Sequence, residues 1–296
     1  MQFNTSWQAL LNPGGSNHYF SANTLKPFKA DASGFSIINA WWLAELCRLI
    51  YKKDPEETGR WRNTPTRNEI LNTVHLEEYQ FFNTGKAQCA VVTSKKDVKN
   101  AFSVLVFRGT SGKLGNWIHN FNAFPSQWPH GGWVHKGFKE VFDGIWEAVH
   151  EALLSVRMPI FYTGHSLGAA LATLAASVKP PQALYTFGSP RVGNAGFIDS
   201  LKNIEIYRVI NGRDIISSTP PSMFSFKFFH AGEPHFLDHK NDSGFNTNGF
   251  QDIVDGFEEG YTSKPNSHFT RWLISPPTFL AVHAPINYTA CLQDPL

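Results

Sequence analysis

Two spacings of apolar residues alternate along this chain, and the alternation predicts its architecture. In "FSIINAWWLAELCRLIYKKD", residues 35–54, the apolar side chains cover most faces at helical spacing, so the stretch is expected to be a well-buried helix. A polar stretch rich in Asn and Thr follows, 55–85, with no clear period. "CAVVTS" and "AFSVLVFRG" are then rich in β-branched and aromatic residues and are joined by the charged "KKDVKN", which reads as a hairpin feeding a central strand that ends near Phe107. Between Lys136 and Ser155, Phe138, Val141, Phe142, Ile145, Trp146, Val149 and Leu153 recur at i, i+3, i+4 and i+7, the stripe of an amphipathic helix laid on a sheet. "MPIFYTG", "ALYTFG" and "IEIYRVI" read as further strands, with "LGAALATLAASV" a helix between the first two. Strands alternating with helices imply an α/β fold with a largely parallel sheet covered on both faces.

Bulk properties narrow the class. At 296 residues, 42% hydrophobic and 17% charged, the chain is long enough to bury a large core, and without a repeat or a clear linker it is expected to form a single domain over 1–296. The net charge of +2 comes from interspersed Lys and Arg with no basic block, which argues against a nucleic-acid partner. Cys47, Cys89 and Cys291 are odd in number and widely spaced, indicating neither a disulfide framework nor a zinc site. No signal peptide and no transmembrane segment is visible, so a cytoplasmic location is favoured over a secreted one. The 25 Phe exceed the needs of a core, and some are expected to face a greasy substrate.

The sharpest local signal is "YTGHSLGAALATLAASV", 162–178, where Gly164, His165, Ser166, Leu167 and Gly168 spell GxSxG between a predicted strand and a predicted helix. A tight strand-to-helix turn needs glycine on either side of the serine, because a Cβ there would clash across the turn. It leaves Ser166 at the tip of the sheet above the N-terminus of a helix, where free N–H groups face any oxyanion. A serine hydroxyl is inert without a base and an orienting acid, expected downstream in the order Ser, Asp, His. Asp214, in "YRVINGRDIISSTPP", stands just past a strand and is the best-placed acid. His230, His235, His239, His268 and His283 all follow it, and of these His268, in "SKPNSHFTRWL", is chosen because it is predicted to hang from a loop over the sheet. The backbone N–H of Leu167 is one expected oxyanion donor, and Thr110, where "VLVFRGTS" ends in a turn, is the candidate second.

These segments together resemble the class 3 lipases, the α/β-hydrolase family that includes fungal triacylglycerol lipases and feruloyl esterases. "VFRGTS" is similar to the family's oxyanion strand, "VHKGFKEVF" to its following helix, "YTGHSLGAALATLAA" to its elbow, "YTFGSPRVGN" to the next strand and turn, and "RVINGRDIISSTPP" to its acid loop, over roughly 85–275. The resemblance implies an α/β-hydrolase fold, a mostly parallel central sheet with helices on both faces. It also implies a serine carboxylic-ester hydrolase acting on acylglycerols, with Ser166 as nucleophile, Asp214 as acid, His268 as base, and Thr110 and Leu167 as oxyanion donors. Neither metal nor cofactor is expected, and the partner is a lipid or ester substrate, met at a lipid–water interface. A phospholipase, a feruloyl-type esterase and an inactive lipid-binding module are the alternatives. The aromatic, glycine-flanked stretch 111–133 is expected to form a lid, with Trp117, Phe121, Phe124, Trp128 and Trp133 on its apolar side.

Overall fold

A computed structural model describes residues 4–15, 18–22, 25–58, 64–95, 100–110, 124–212, 214–220, 226–237, 276 and 278–293. Its strands are β1 (Leu76–Asn83), β2 (Gln88–Ser94), β3 (Ser103–Phe107), β4 (Pro125–Gln127), β5 (Trp133–His135), β6 (Ile160–His165), β7 (Ala183–Phe187), β8 (Ile206–Asn211) and β9 (Glu233–Leu237). The helices are α1 (Trp7–Leu11), α2 (Ile37–Leu49), α3 (Pro55–Thr58), α4 (Arg67–Asn72), α5 (Lys136–Leu154), α6 (Leu167–Val178), α7 (Ala195–Ser200), α8 (Thr278–Ala281) and α9 (Pro285–Gln293).

Seven strands form one sheet in the order β1-β2-β3-β6-β7-β8-β9. From β3 onward every neighbour is parallel, while β1, β2 and β3 run antiparallel as a meander. Helices α5, α6 and α7 make the crossovers between successive parallel strands, so the carboxyl ends of β3, β6, β7 and β8 gather on one rim. Side chains alternate strictly across the pleat. Val104, Val106, Phe161, Tyr185, Phe187, Tyr207 and Val209 point into one core with α2 and α9, whereas Leu105, Phe107, Tyr162, Leu184 and Ile206 point into a second core with α5 and α6. The sheet is therefore apolar on both faces, which is why β3, β6 and β7 read as continuous apolar runs.

Helix α2 buries nearly every side chain it has, as its all-round apolar pattern required, and its Ser36 cap accepts from Asn39 N at 3.3 Å. Helix α5 buries Phe138, Phe142, Ile145, Val149 and Leu153, a stripe worth about 1.5–3 kcal/mol for each side chain removed from water.

Four strands escaped the periodicity, β1, β9 and the short pair β4 and β5. In β1, "LEEYQFFN", the register slips between Glu78 and Gln80, so Tyr79 is an extra residue and the alternation changes phase midway. Strand β9, "EPHFL", carries Pro234, which an edge strand tolerates because one side of its backbone needs no partner.

Candidate active site

Strand β6 runs into α6 through a single residue outside both, Ser166, whose φ of 59° and ψ of −126° lie in a region that L-residues seldom occupy. The surroundings impose that geometry. Ser166 N donates to Phe187 O at 3.0 Å, which fixes the turn to the tip of β7, and Ser166 O accepts from Ala169 N at 3.0 Å to start the helix. A Cβ on residue 164 would lie 2.2 Å from Gly168 O, and one on residue 168 would lie 2.2 Å from Phe107 O, so both positions admit only hydrogen. The tip of β3 closes in from the other side, where a Cβ on Gly109 would meet His165 O at 2.5 Å and the Ser166 Cβ at 3.1 Å. Thr110 is thereby held next to the elbow. Leu167 N, at the first helical position, has no acceptor within its own helix.

The acid comes from the tip of β8. Asp214, 2% exposed, accepts from Ile216 N through Oδ1 at 2.9 Å, and through Oδ2 from Tyr288 OH at 2.5 Å and His283 Nδ1 at 2.7 Å. Burial, and after it the Asp214 charge, push the Tyr288 hydroxyl well above its ordinary pKa, so it remains a donor. With Nδ1 donating to a carboxylate, the remaining ring nitrogen of His283, Nε2, carries the lone pair. The ring is anchored close to the elbow, since a Cβ on Gly188, the residue after the acceptor of Ser166 N, would touch both Asp214 Oδ2 and the His283 ring. His165 packs against it with ring centroids 4.4 Å apart and donates from Nε2 to His283 O at 2.7 Å.

Among the described residues, Ser166 Oγ, His283 Nε2 and Thr110 Oγ1 are all buried without a hydrogen-bond partner. Among the described residues no group of three or more His, Cys, Asp or Glu is arranged to hold a metal ion, and no helix is long and apolar enough to cross a membrane.

Residues 104–224 match the family model described as Lipase (class 3), a span that takes in β3, the elbow and the acid. Over this span the chain is similar to the class 3 lipases. It is 37% identical to a secreted mono- and diacylglycerol lipase of Fusarium solani over 42% of its own length and 40% of that relative's. Identity to a Rhizomucor miehei lipase is 34%, over 45% of this chain and 41% of the relative. The matches thus span about two fifths of each relative's length. Among solved structures, lipase II from Rhizopus niveus superposes with a TM-score of 0.56 at 24% identity, covering 68% of this chain and 80% of that one, which fixes the α/β-hydrolase fold.

Several expectations from the sequence change here. His268 lies outside the described residues, and the histidine on Asp214 is His283. What marks His283 is its setting in "TFLAVHAPINY", where a titratable side chain interrupts an apolar run and ends up 1% exposed. Of the other candidates, His235 is stacked on Phe35 at the far edge strand, His230 is held by the backbone of Ser217 and Pro190, and His239 lies outside the described residues.

The lid expectation also narrows. Residues 111–123, with Trp117 and Phe121, lie outside the described residues, and the rest of the stretch is a β4–β5 hairpin pinned to the body. Trp128, expected on a mobile face, is 4% exposed among Phe142 and Phe197 and donates from Nε1 to Ser177 Oγ at 2.9 Å, whereas Phe124 and Trp133 are exposed. The name of the Fusarium relative, a secreted lipase, runs against the cytoplasmic expectation.

Proposed function

We propose that this chain is a class 3 lipase, a serine carboxylic-ester hydrolase that acts on acylglycerols through an acyl-enzyme intermediate. Ser166 Oγ attacks the ester carbonyl while His283 Nε2 takes its proton. Asp214, holding His283 Nδ1–H, fixes the tautomer and stabilises the imidazolium that forms. The carbonyl oxygen, now anionic, is received by Leu167 N–H and by Thr110, through its backbone N–H and its hydroxyl. The imidazolium then returns its proton to the departing alcohol, and the same Nε2 later activates a water that releases the acid.

The observation that carries this reading is the set of three orphaned atoms, Ser166 Oγ, His283 Nε2 and Thr110 Oγ1. Leaving a buried polar group unpaired costs about 1–3 kcal/mol, an expense without purpose in an elbow kept only for packing. In the reaction each atom gains its partner: Ser166 Oγ passes its proton to His283 Nε2 as it bonds the ester's carbonyl carbon, and the Thr110 hydroxyl donates to the oxyanion that forms. That argument separates the hydrolase from the inactive lipid-binding module.

An apolar substrate at a lipid–water interface is supported by exposed aromatics at this end of the molecule. Trp133 and Phe229 are each 43% exposed and sit on adjacent extended segments joined through Gly193, with Phe124, 61% exposed, immediately before the partner strand of the hairpin. The relative named as secreted supports an extracellular setting, which assaying culture medium against cell lysate would check.

The deciding experiment compares p-nitrophenyl esters of graded chain length with emulsified mono-, di- and triacylglycerol, using Ser166→Ala as control. Turnover that depends on Ser166 and extends to emulsified acylglycerol is expected. Turnover of none of these esters by folded protein rejects the hydrolase reading, and turnover of p-nitrophenyl esters alone rejects the acylglycerol substrate.

A further inference from the structure

The segment carrying His283 is a short turn between α8 and α9, and it returns to the sheet from the far end of the chain. Hydrogen bonds within the turn are few: His283 N donates to Leu280 O at 3.1 Å and Ala284 N to Ala281 O at 3.0 Å. Its carbonyls, by contrast, are taken one after another by side chains from elsewhere. Asn287 Nδ2 donates to Ala281 O at 2.7 Å, Asn211 Nδ2 donates to Val282 O at 2.9 Å, and His165 Nε2 donates to His283 O at 2.7 Å.

The three donors come from three different elements, α9, the tip of β8 and the elbow itself, and each is at most 3% exposed. Each is also held in place. Asn287 exchanges hydrogen bonds with both backbone groups of Asn4, accepting at 2.9 Å and donating at 3.0 Å. Asn211 sits between Asp214, whose N–H donates to Asn211 O at 3.0 Å, and Tyr288 OH, which accepts from Asn211 N at 3.3 Å. His165 Nδ1 lies 3.0 Å from Tyr51 OH. A carbonyl only accepts, so His165 must carry its proton on Nε2, and Tyr51 OH is therefore the donor to Nδ1. Burial, then the neighbouring His283, hold the pKa of His165 well below the ordinary histidine value, so the ring beside His283 stays neutral.

We infer that His165, Asn211 and Asn287 are positioning residues that clamp three successive carbonyls of the His283 turn and so set where Nε2 stands relative to Ser166 Oγ. This rests on the proposed hydrolase function, with His283 as its base. Asp214 orients the ring about its Nδ1 bond but leaves the backbone beneath it free to slide, and the carbonyl clamp removes that freedom. A proton transfer fails when donor and acceptor separate by an ångström, so the clamp acts on the chemical step and not on substrate binding. It also explains a histidine before the nucleophile, where a small apolar residue would fill the space but give the His283 carbonyl no donor.

The test uses the full chain and a soluble p-nitrophenyl ester. His165→Leu, Asn211→Leu and Asn287→Leu should each lower kcat by about tenfold or more, a scale set by misplaced catalytic groups, with KM within about twofold and the acid limb of the pH profile displaced. His165→Gln keeps an N–H for the His283 carbonyl and should recover most of the rate lost in His165→Leu. Tyr51→Phe, which frees the His165 tautomer without touching the turn, should lower kcat by about threefold. Should a leucine variant not fold, Tyr51→Phe and Asn211→Ser carry the test. Variants with wild-type kcat and pH profile, altered only in melting temperature, overturn the clamp, as does His165→Gln behaving no better than His165→Leu. His283→Ala is measured alongside. Substantial turnover by that variant rejects the assignment of the base, whereas an inactive His283→Ala beside fully active clamp variants rejects the clamp alone.

Discussion

Asp214 and His283, 69 residues apart in the chain, meet through a 2.7 Å contact between Oδ2 and Nδ1 inside a shell that leaves each at most 2% exposed. The pair supports His283, in place of His268, as the base of the proposed reaction. His283→Ala should therefore lower kcat by about a thousandfold or more, a scale set by triad deletions elsewhere, while His268→Ala stays within a few-fold of the parent. Steady-state rates on one soluble ester decide it, and the opposite ranking would return the role to His268.

Ser166→Ala should abolish turnover and labelling by a fluorophosphonate probe without lowering the melting temperature. The hydroxyl it removes is buried and unpaired, so its loss relieves a desolvation cost of about 1–3 kcal/mol. A variant that melted well below the parent would mean that the hydroxyl contributes a contact to the fold.

Gly168→Ala should be among the most damaging substitutions in the chain, because the new methyl carbon would sit 2.2 Å from Phe107 O, a backbone atom in the centre of the sheet. Separating β3 from α6 to admit it is expected to cost more than about 3 kcal/mol, readable as a fall in the urea midpoint. An unchanged midpoint would show that the turn relaxes freely.

Tyr288→Phe removes one of the two donors on Asp214 Oδ2 and leaves a buried carboxylate less well held. The expected result is a loss of about 1–3 kcal/mol in stability, the range for a hydrogen bond to a charged group, with a several-fold drop in kcat as Asp214 holds His283 less firmly. Equilibrium unfolding and steady-state kinetics on the same preparation would separate the two effects.

Acid should destabilise this protein through histidines that are buried neutral. Burial pushes His135 from 6.5 down to about 4, and burial, aided by Arg208 and Arg191, pushes His230 from 6.5 down to about 3. The unfolded chain takes up these protons near pH 6.5 and the folded chain does not, so protonation favours unfolding. Stability present above pH 6.5 is lost as the pH falls towards 4 for His135 and 3 for His230, by at most about 1.4 kcal/mol per pH unit per histidine. Urea midpoints at several pH values should show this slope, and His135→Asn should reduce it. A flat profile from neutrality to pH 4.5 would contradict the burial of these rings.

What the sequence determined by itself is local. Helical spacing placed α2, α5 and α6, and short apolar runs rich in β-branched and aromatic residues placed β2, β3, β6, β7 and β8, because burial leaves its mark within a few residues. The elbow was legible for the same reason, since Gly164 answers a clash with Gly168 four residues on, although Gly168 itself answers one with Phe107 on β3. The strand β1 was not legible, since the bulge at Tyr79 reverses the pattern on which such a reading depends. Nor was the fate of Trp128, whose indole meets Ser177 and Phe197 only after the crossovers close. Five histidines follow Asp214, and the apolar run around His283 foretells its burial but not which of the five meets the acid. The choice was made by the C-terminal turn folding back onto the rim, where donors from α9, β8 and the elbow take its carbonyls and Asp214 takes the ring. Those contacts join residues as many as 118 positions apart, and only the assembled sheet brings them within hydrogen-bonding distance.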